Sequence, residues 1–156
     1  MGIATTLADY LSDHNVAYDL VRHPHTQTAL GSAAASGVPA NRVVKAVVLK
    51  GDDGFMLALV PASCHIRFEQ LREVLRKDVD LANEEQVETL FLDCEPDSVP
   101  ALGAAYGLKV VVDDSLAQES EVYFESGDHT SLVHISGKKF RELVMGAQHG
   151  CFARPD

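Results

Sequence analysis

Cysteine is scarce: only Cys64, Cys94 and Cys151 occur in 156 residues, far apart from one another. An odd, scattered set argues against a disulfide scaffold and fits a reducing compartment, so a cytoplasmic protein is expected. Basic residues are few as well. Lys plus Arg number 13 against 23 Asp plus Glu, a net charge of −10. That balance argues against a non-specific DNA coat, which needs a basic face. No apolar stretch reaches the roughly 18 residues of a membrane span, so no membrane role is expected. Met1-Gly2-Ile3-Ala4 lacks a basic segment leading into an apolar one, so no export leader is expected. The phosphate-cradling Walker A and GxGxxG loops are absent, and so is the GxSxG nucleophile elbow. His23-Pro24-His25 and Cys64-His65 have neither CxxC nor HExxH spacing, so neither a metal nor a cofactor is expected.

What is present points to one folded unit. Apolar residues make up 46% of the chain, enough for a core, and the length suits a single domain over residues 1–156. The negative charge is unevenly spread. From Val79 to Asp128 there are 13 acidic residues and one basic residue, Lys109, whereas the rest holds 12 basic and 10 acidic. An anionic ligand would therefore be met by the flanks and not by the middle. The middle block also reads simply as a solvated face.

Periodicity alternates between the helical and extended kinds. Ile3, Leu7, Tyr10 and Leu11 share one helix face, with Asn15 to end the helix. Val16 to Arg22 reads as a strand and His23 to Thr26 as a loop. Ala29 to Ser36 is a small-residue helix closed by Gly37. Val43–Lys50 and Phe55–Pro61 flank Gly51-Asp52-Asp53-Gly54, a hairpin signature. Phe68, Leu71, Val74 and Leu75 mark a helix, and Asn83 caps another. Pro96 to Gly107 reads as loop. Lys109–Val112, Glu121–Glu125 and Ser131–Ser136 read as strands, the last two joined around Gly127-Asp128. Ser136 caps a final helix. The pattern is α+β with hairpins, without regular βαβ alternation.

Two residues stand out chemically. Lys45 lies within Val43-Val44-Lys45-Ala46-Val47-Val48-Leu49, on the strand face of Val43, Val47 and Leu49. A lysine there either meets a cleft, an anion or a carboxylate, or snorkels to water from an edge strand. His129, in the turn beside Gly127 and Asp128, is expected to be accessible and able to titrate near neutrality, or to be an ordinary surface residue. None of the three cysteines has a context that marks a lowered pKa.

The ordered set of Tyr18, His23-Pro24, Thr28-Ala29, Ala33-Ala34, Gly37-Val38-Pro39 and Val43-Val44-Lys45 resembles the YbaK family. The resemblance continues through Leu57–Pro61, Asp93-Cys94-Glu95 and Val122–Gly127, and so covers nearly the whole chain. These are bacterial aminoacyl-tRNA deacylases related to the editing domain inserted in prolyl-tRNA synthetase. The resemblance implies a mixed, barrel-like β-sheet surrounded by helices. It implies hydrolysis of the ester of a tRNA mischarged with a small amino acid, with a synthetase as a further partner. It casts Lys45 as the residue that holds the phosphate backbone near the terminal adenosine. It implies that the backbone of a GxxxP loop stabilises the oxyanion; here that stretch is 97–103, with Ser98, Val99, Pro100, Ala101 and Gly103. Asp97 stands where Gly is expected and Ala101 where Pro is expected. Tyr18, Thr28, Gly127 and His129 fall at substrate-side positions. Tyr18 also reads as a core aromatic with its hydroxyl outside, and Pro100 and Gly103 as turn residues. The alternative function is a non-catalytic module of the same fold that grips tRNA or a synthetase.

Overall fold

The computed structural model describes residues 3–95 and 97–156. Met1 and Gly2, where a leader would begin, and Pro96, the first residue of the expected loop, lie outside the described residues. The helices are α1 (Thr5–Asp13), α2 (Ala29–Ser36), α3 (Phe68–Leu75), α4 (Glu84–Leu90) and α5 (Gly137–Leu143). The strands are β1 (Asp19–Arg22), β2 (Val43–Gly51), β3 (Gly54–Pro61), β4 (Cys64–Ile66) and β5 (Val79–Leu81), followed by β6 (Lys109–Asp113), β7 (Glu121–Glu125), β8 (Ser131–Ser136), β9 (Gln148–Gly150) and β10 (Ala153–Pro155).

An eight-stranded mixed sheet runs in the order β1-β8-β7-β2-β3-β6-β9, with β5 added to the far end of β2. β1 and β9 end this hydrogen-bonded order. β4 and β10 form a separate two-stranded sheet. The expected mixed sheet with packed helices is therefore present. The β2–β3 hairpin turns at Asp52-Asp53, with Gly51 opposite Gly54.

Alternation along β2 and β3 explains why both faces of the sheet are covered. Val44, Val48, Leu57 and Leu59 face the largest core, with α1, Phe91 and Phe140. Leu49, Met56, Ala58 and Val60 face a second core closed by Leu71, Leu75 and Phe152. Ala29 and Ala33 of α2 pack on Val43 and Leu132 in a third. The small residues of α2 permit this approach. Strands buried on both faces read as continuous apolar runs, as Val43–Leu49 does.

The expected caps are formed. Asn83 and Gln86 make a reciprocal capping box on α4, and Ser136 Oγ accepts from the Lys139 N–H. Four short strands, β4, β5, β9 and β10, interrupt stretches with no strand signature. The expected strand from Val16 is shorter: β1 starts at Asp19, and Asn15, at φ 54°, turns the chain before it.

Candidate active site

β2 is the organising element. Its pairing with β7 covers Val43 and Val44, and its pairing with β5 covers Leu49 to Gly51. Between them the ladder on that side opens, and a cavity of about 340 Å³ fills the gap. Lys45 to Val48 form one wall. Thr28 and Ala29 of α2, Leu81 and Ala82 after β5, and Asp97, Val99 and Glu125 form the others. The volume is in the range of small-ligand sites. The cavity sits where the acidic middle block meets the flanks: Lys45 comes from a flank, Asp97 and Glu125 from the block.

Lys45 is half-buried, and its Nζ donates to the Cys64 carbonyl oxygen at 2.6 Å. Cys64 belongs to β4, so the small sheet holds the lysine's resting position. Thr28 is the N-cap of α2, its Oγ1 accepting from the Gly31 N–H at 2.9 Å.

The 97–103 stretch divides. Val99 lines the cavity, and among the described residues its N–H has no acceptor. The Ser98 N–H donates to the Glu95 carbonyl and the Gly103 N–H to the Ala101 carbonyl, so neither is spare for an oxyanion. Ala101 is fully buried in the main core, and Gly103 packs where an added Cβ would meet Val110 Cγ1 at 2.7 Å and the Leu108 carbonyl at 2.9 Å. Pro100, also buried, is not in the cavity wall. Of the stretch expected to supply backbone donors for the oxyanion, Asp97 and Val99 reach the cavity wall, while core packing claims Ala101 and Gly103. Asp97 does not take a positive φ, since among the described non-glycine residues only Asn15, Arg76 and His129 do. An aspartate at that place therefore adds no left-handed strain.

Ser98 has a different task. Its Oγ accepts from the N–H groups of both Gly127 and His129, at 3.1 Å each. One buried hydroxyl thus ties the loop to the β7–β8 turn. Gly127, at φ 123°, needs its freedom there, and an added Cβ would meet Ala4 Cβ at 3.0 Å. Gly127 shapes the turn and does not line the cavity.

His129 is not accessible, contrary to expectation: it is 2% exposed. Its positive φ turns the ring inward, against His25 and 3.3 Å from Glu125 Oε2 through Nδ1. Burial pushes the imidazole below its usual pKa. Burial pushes Glu125 up to about 8, against the Ser32 and Ser98 hydroxyls that pull it down. The contact is thus a neutral imidazole beside a carboxyl that keeps its proton near neutrality, and not an ion pair. Tyr18 is 37% exposed, ahead of β1, and lies outside the cavity wall.

Of the ten residues singled out from sequence, the cavity gathers Thr28, Lys45 and Val99. Reading the sequence missed Glu125. The signal was there: a carboxylate ends the apolar run Val122-Tyr123-Phe124, directly after the buried Phe124.

Comparison with known proteins now decides the family. Residues 23–143 match the aminoacyl-tRNA editing domain model. The chain belongs to the aminoacyl-tRNA editing domain family. It is 34% identical over 82 residues to the proline–tRNA ligase of Thermosipho africanus, covering 51% of the chain and 15% of the ligase. It is 37% identical over 57 residues to that of Thermosipho melanesiensis, covering 36% and 10%. The chain thus matches only a small part of these ligases. Among solved structures it is similar to a candidate trans-editing enzyme for prolyl tRNA synthetase, with TM-score 0.81, 24% identity, and 96% and 95% of the two chains covered. It is also similar to the hypothetical protein APE2540, with TM-score 0.83, 22% identity, and 96% and 99% covered. At these identities the likeness speaks for the fold. No described helix of this editing domain is long and apolar enough to cross a membrane.

Among the described residues no cluster of His, Cys, Asp and Glu is arranged to hold a metal. Neither Cys94 nor Cys151 is an activated thiol. Burial pushes Cys94 up to about 12, and Asp114 beside the exposed Cys151 raises that thiol too.

Proposed function

We propose that this editing domain is a trans-acting hydrolase that deacylates tRNA mischarged with a small amino acid. The observation that carries the reading is Lys45, a cation on the wall of a 340 Å³ cavity in a chain of this family. The tRNA 3′ end enters the gap in the β2 ladder. Lys45 leaves the Cys64 carbonyl for a phosphate near the terminal adenosine, since an ammonium is a compact phosphate-binding charge. Water adds to the ester carbonyl, and the Val99 N–H donates to the resulting oxyanion. The intermediate collapses with cleavage of the bond to the ribose oxygen. That oxygen leaves with a proton from the attacking water, free amino acid and tRNA being the products. The neighbouring ribose hydroxyl assists the proton transfer, so no protein base is required. One oxyanion donor is worth about 10²–10³ in rate and positioning adds to it, which suits an activated ester. The cavity selects by excluding large side chains, and one methylene gives only about 10–200-fold discrimination.

Residues 1–156 are proposed to act as one domain in the cytoplasm, with a synthetase supplying tRNA affinity that a −10 chain lacks. A single domain is supported by the sheet, which draws β1 and β9 from opposite ends of the chain. A non-hydrolytic tRNA- or synthetase-binding module is the second reading. It is favoured by Asp97, which puts a negative charge on the cavity wall, and by the spent N–H groups of Ser98 and Gly103. Single-turnover incubation with alanyl-, cysteinyl- and seryl-tRNA, beside correctly charged controls, separates the two. Selective release of amino acid supports the hydrolase. Binding without release supports the module.

A further inference from the structure

The cavity has a second ionisable end that the proposed chemistry leaves unused. Glu125 closes it at the end of β7 and is 3% exposed. Its two oxygens are treated differently. Oε2 accepts from Ser32 Oγ at 3.0 Å and lies 3.3 Å from His129 Nδ1. Ser32 has spent its only proton on that bond, so Thr26 Oγ1 donates to Ser32 Oγ in turn, at 2.6 Å. Oε1 is buried and has no partner among the described residues. A carboxyl oriented by a relay of hydroxyls, with one buried oxygen unsatisfied, is costly for the fold and calls for a donor.

Resting on the deacylase reading, we propose that Glu125 binds the α-amino group of the esterified amino acid, so that the cavity recognises an α-amino acid and not acyl groups in general. Lys45 and Glu125 then bracket the substrate by charge, the lysine on the anionic tRNA end and the carboxyl on the amino end. The protonation of the empty site does not oppose this. An ammonium–carboxylate pair and an amine–carboxylic acid pair differ only in where one proton sits along a single N–O contact. Other groups near this carboxyl are the Ser98 hydroxyl, which also acts on it, His129 with His25 against its ring, and the carboxylates of Glu95, Asp97 and Asp128. His129 is neutral and touches Oε2, not Oε1. Asp97 also lines the cavity, but it is solvent-exposed, and water screens what it offers an ammonium.

The test pairs each mischarged tRNA with its α-hydroxy counterpart: alanyl- with lactyl-tRNA, and seryl- with glyceryl-tRNA. Each rate is divided by spontaneous hydrolysis of the same ester. The wild-type chain is expected to prefer the amino ester by about 10- to 100-fold, as for a charged hydrogen bond. Glu125→Gln is expected to bring that preference to within about threefold, with folding checked by its melting curve. Ser32→Ala, which releases Oε2, is expected to weaken the preference partially, and Asp97→Asn to keep it. Equal wild-type rates on both esters would overturn the assignment with the deacylase reading intact, and that arm needs no variant. So would a preference that survives Glu125→Gln or vanishes with Asp97→Asn. Hydrolysis of none of the four esters would overturn the deacylase reading, and this assignment with it.

Discussion

Lys45 donates from Nζ to the Cys64 carbonyl oxygen at 2.6 Å, across from β2 to the small β4–β10 sheet. The ammonium is thus held at the cavity wall by a main-chain acceptor. A neutral carbonyl can be exchanged for a phosphate at little cost, whereas a buried carboxylate partner would have held the charge. Lys45→Arg should therefore recover only part of the lysine's activity, because a planar guanidinium does not fit a site shaped for a point donor. A loss of at least about tenfold in kcat/KM, with an unchanged melting curve, is the expected readout.

Ser98→Ala removes the acceptor for two buried N–H groups, those of Gly127 and His129. Leaving both unsatisfied costs roughly 2–4 kcal/mol. Urea denaturation should show the loss as a lower midpoint with an unchanged slope. Deacylation should fall too, because Val99 follows in the same loop.

Gly103→Ala separates packing from catalysis. An added methyl meets Val110 and the Leu108 carbonyl, and relieving that overlap costs about 1–3 kcal/mol. Since Gly103 is outside the cavity wall, the rate per folded molecule should stay within about threefold of wild type. A selective loss of rate without loss of stability would return Gly103 to the site.

Glu125 makes stability depend on pH with a definite sign. Its folded pKa of about 8 lies above its ordinary 4.5, so between those values the folded state holds a proton that the unfolded state has released. Stability from this group is complete below about pH 4.5 and falls as pH rises towards 8. Glu125→Gln removes the dependence. The variant should gain roughly 1–3 kcal/mol on the wild type between pH 5 and pH 8.5, as read by urea midpoints at the two values.

Cys94 lies beside the β7–β8 turn, with Tyr106 Oη 3.3 Å from its sulfur and Asp93 next to it. A thiol pushed up to about 12 is not a nucleophile at neutral pH. Cys94→Ala should keep the deacylation rate within about threefold.

How much was legible follows from what each residue depends on. Lys45 was, because a single charge in an apolar strand breaks a local pattern, and period-two alternation names its face. The caps at Asn83 and Ser136 and the Gly51–Gly54 hairpin were legible for the same local reason. β4 and β10 were not: each is three residues long, and they exist by pairing across about 90 residues of sequence. The burial of His129 was also out of reach, since it rests on a positive φ and on Ser98, 31 residues away, holding its N–H. The 97–103 loop was legible in place but not in use. Which of its N–H groups is spare depends on acceptors that only the folded chain supplies.

The most direct test of the account is single-turnover deacylation of the alanyl-, cysteinyl- and seryl-tRNA panel by the wild-type chain and Lys45→Ala, with tRNA binding and melting curves measured on both. The account predicts selective release by the wild type and a loss of at least about 100-fold in Lys45→Ala, with the fold intact. Equal release by both proteins would contradict the role of Lys45. Binding without release by the wild type would contradict the hydrolase.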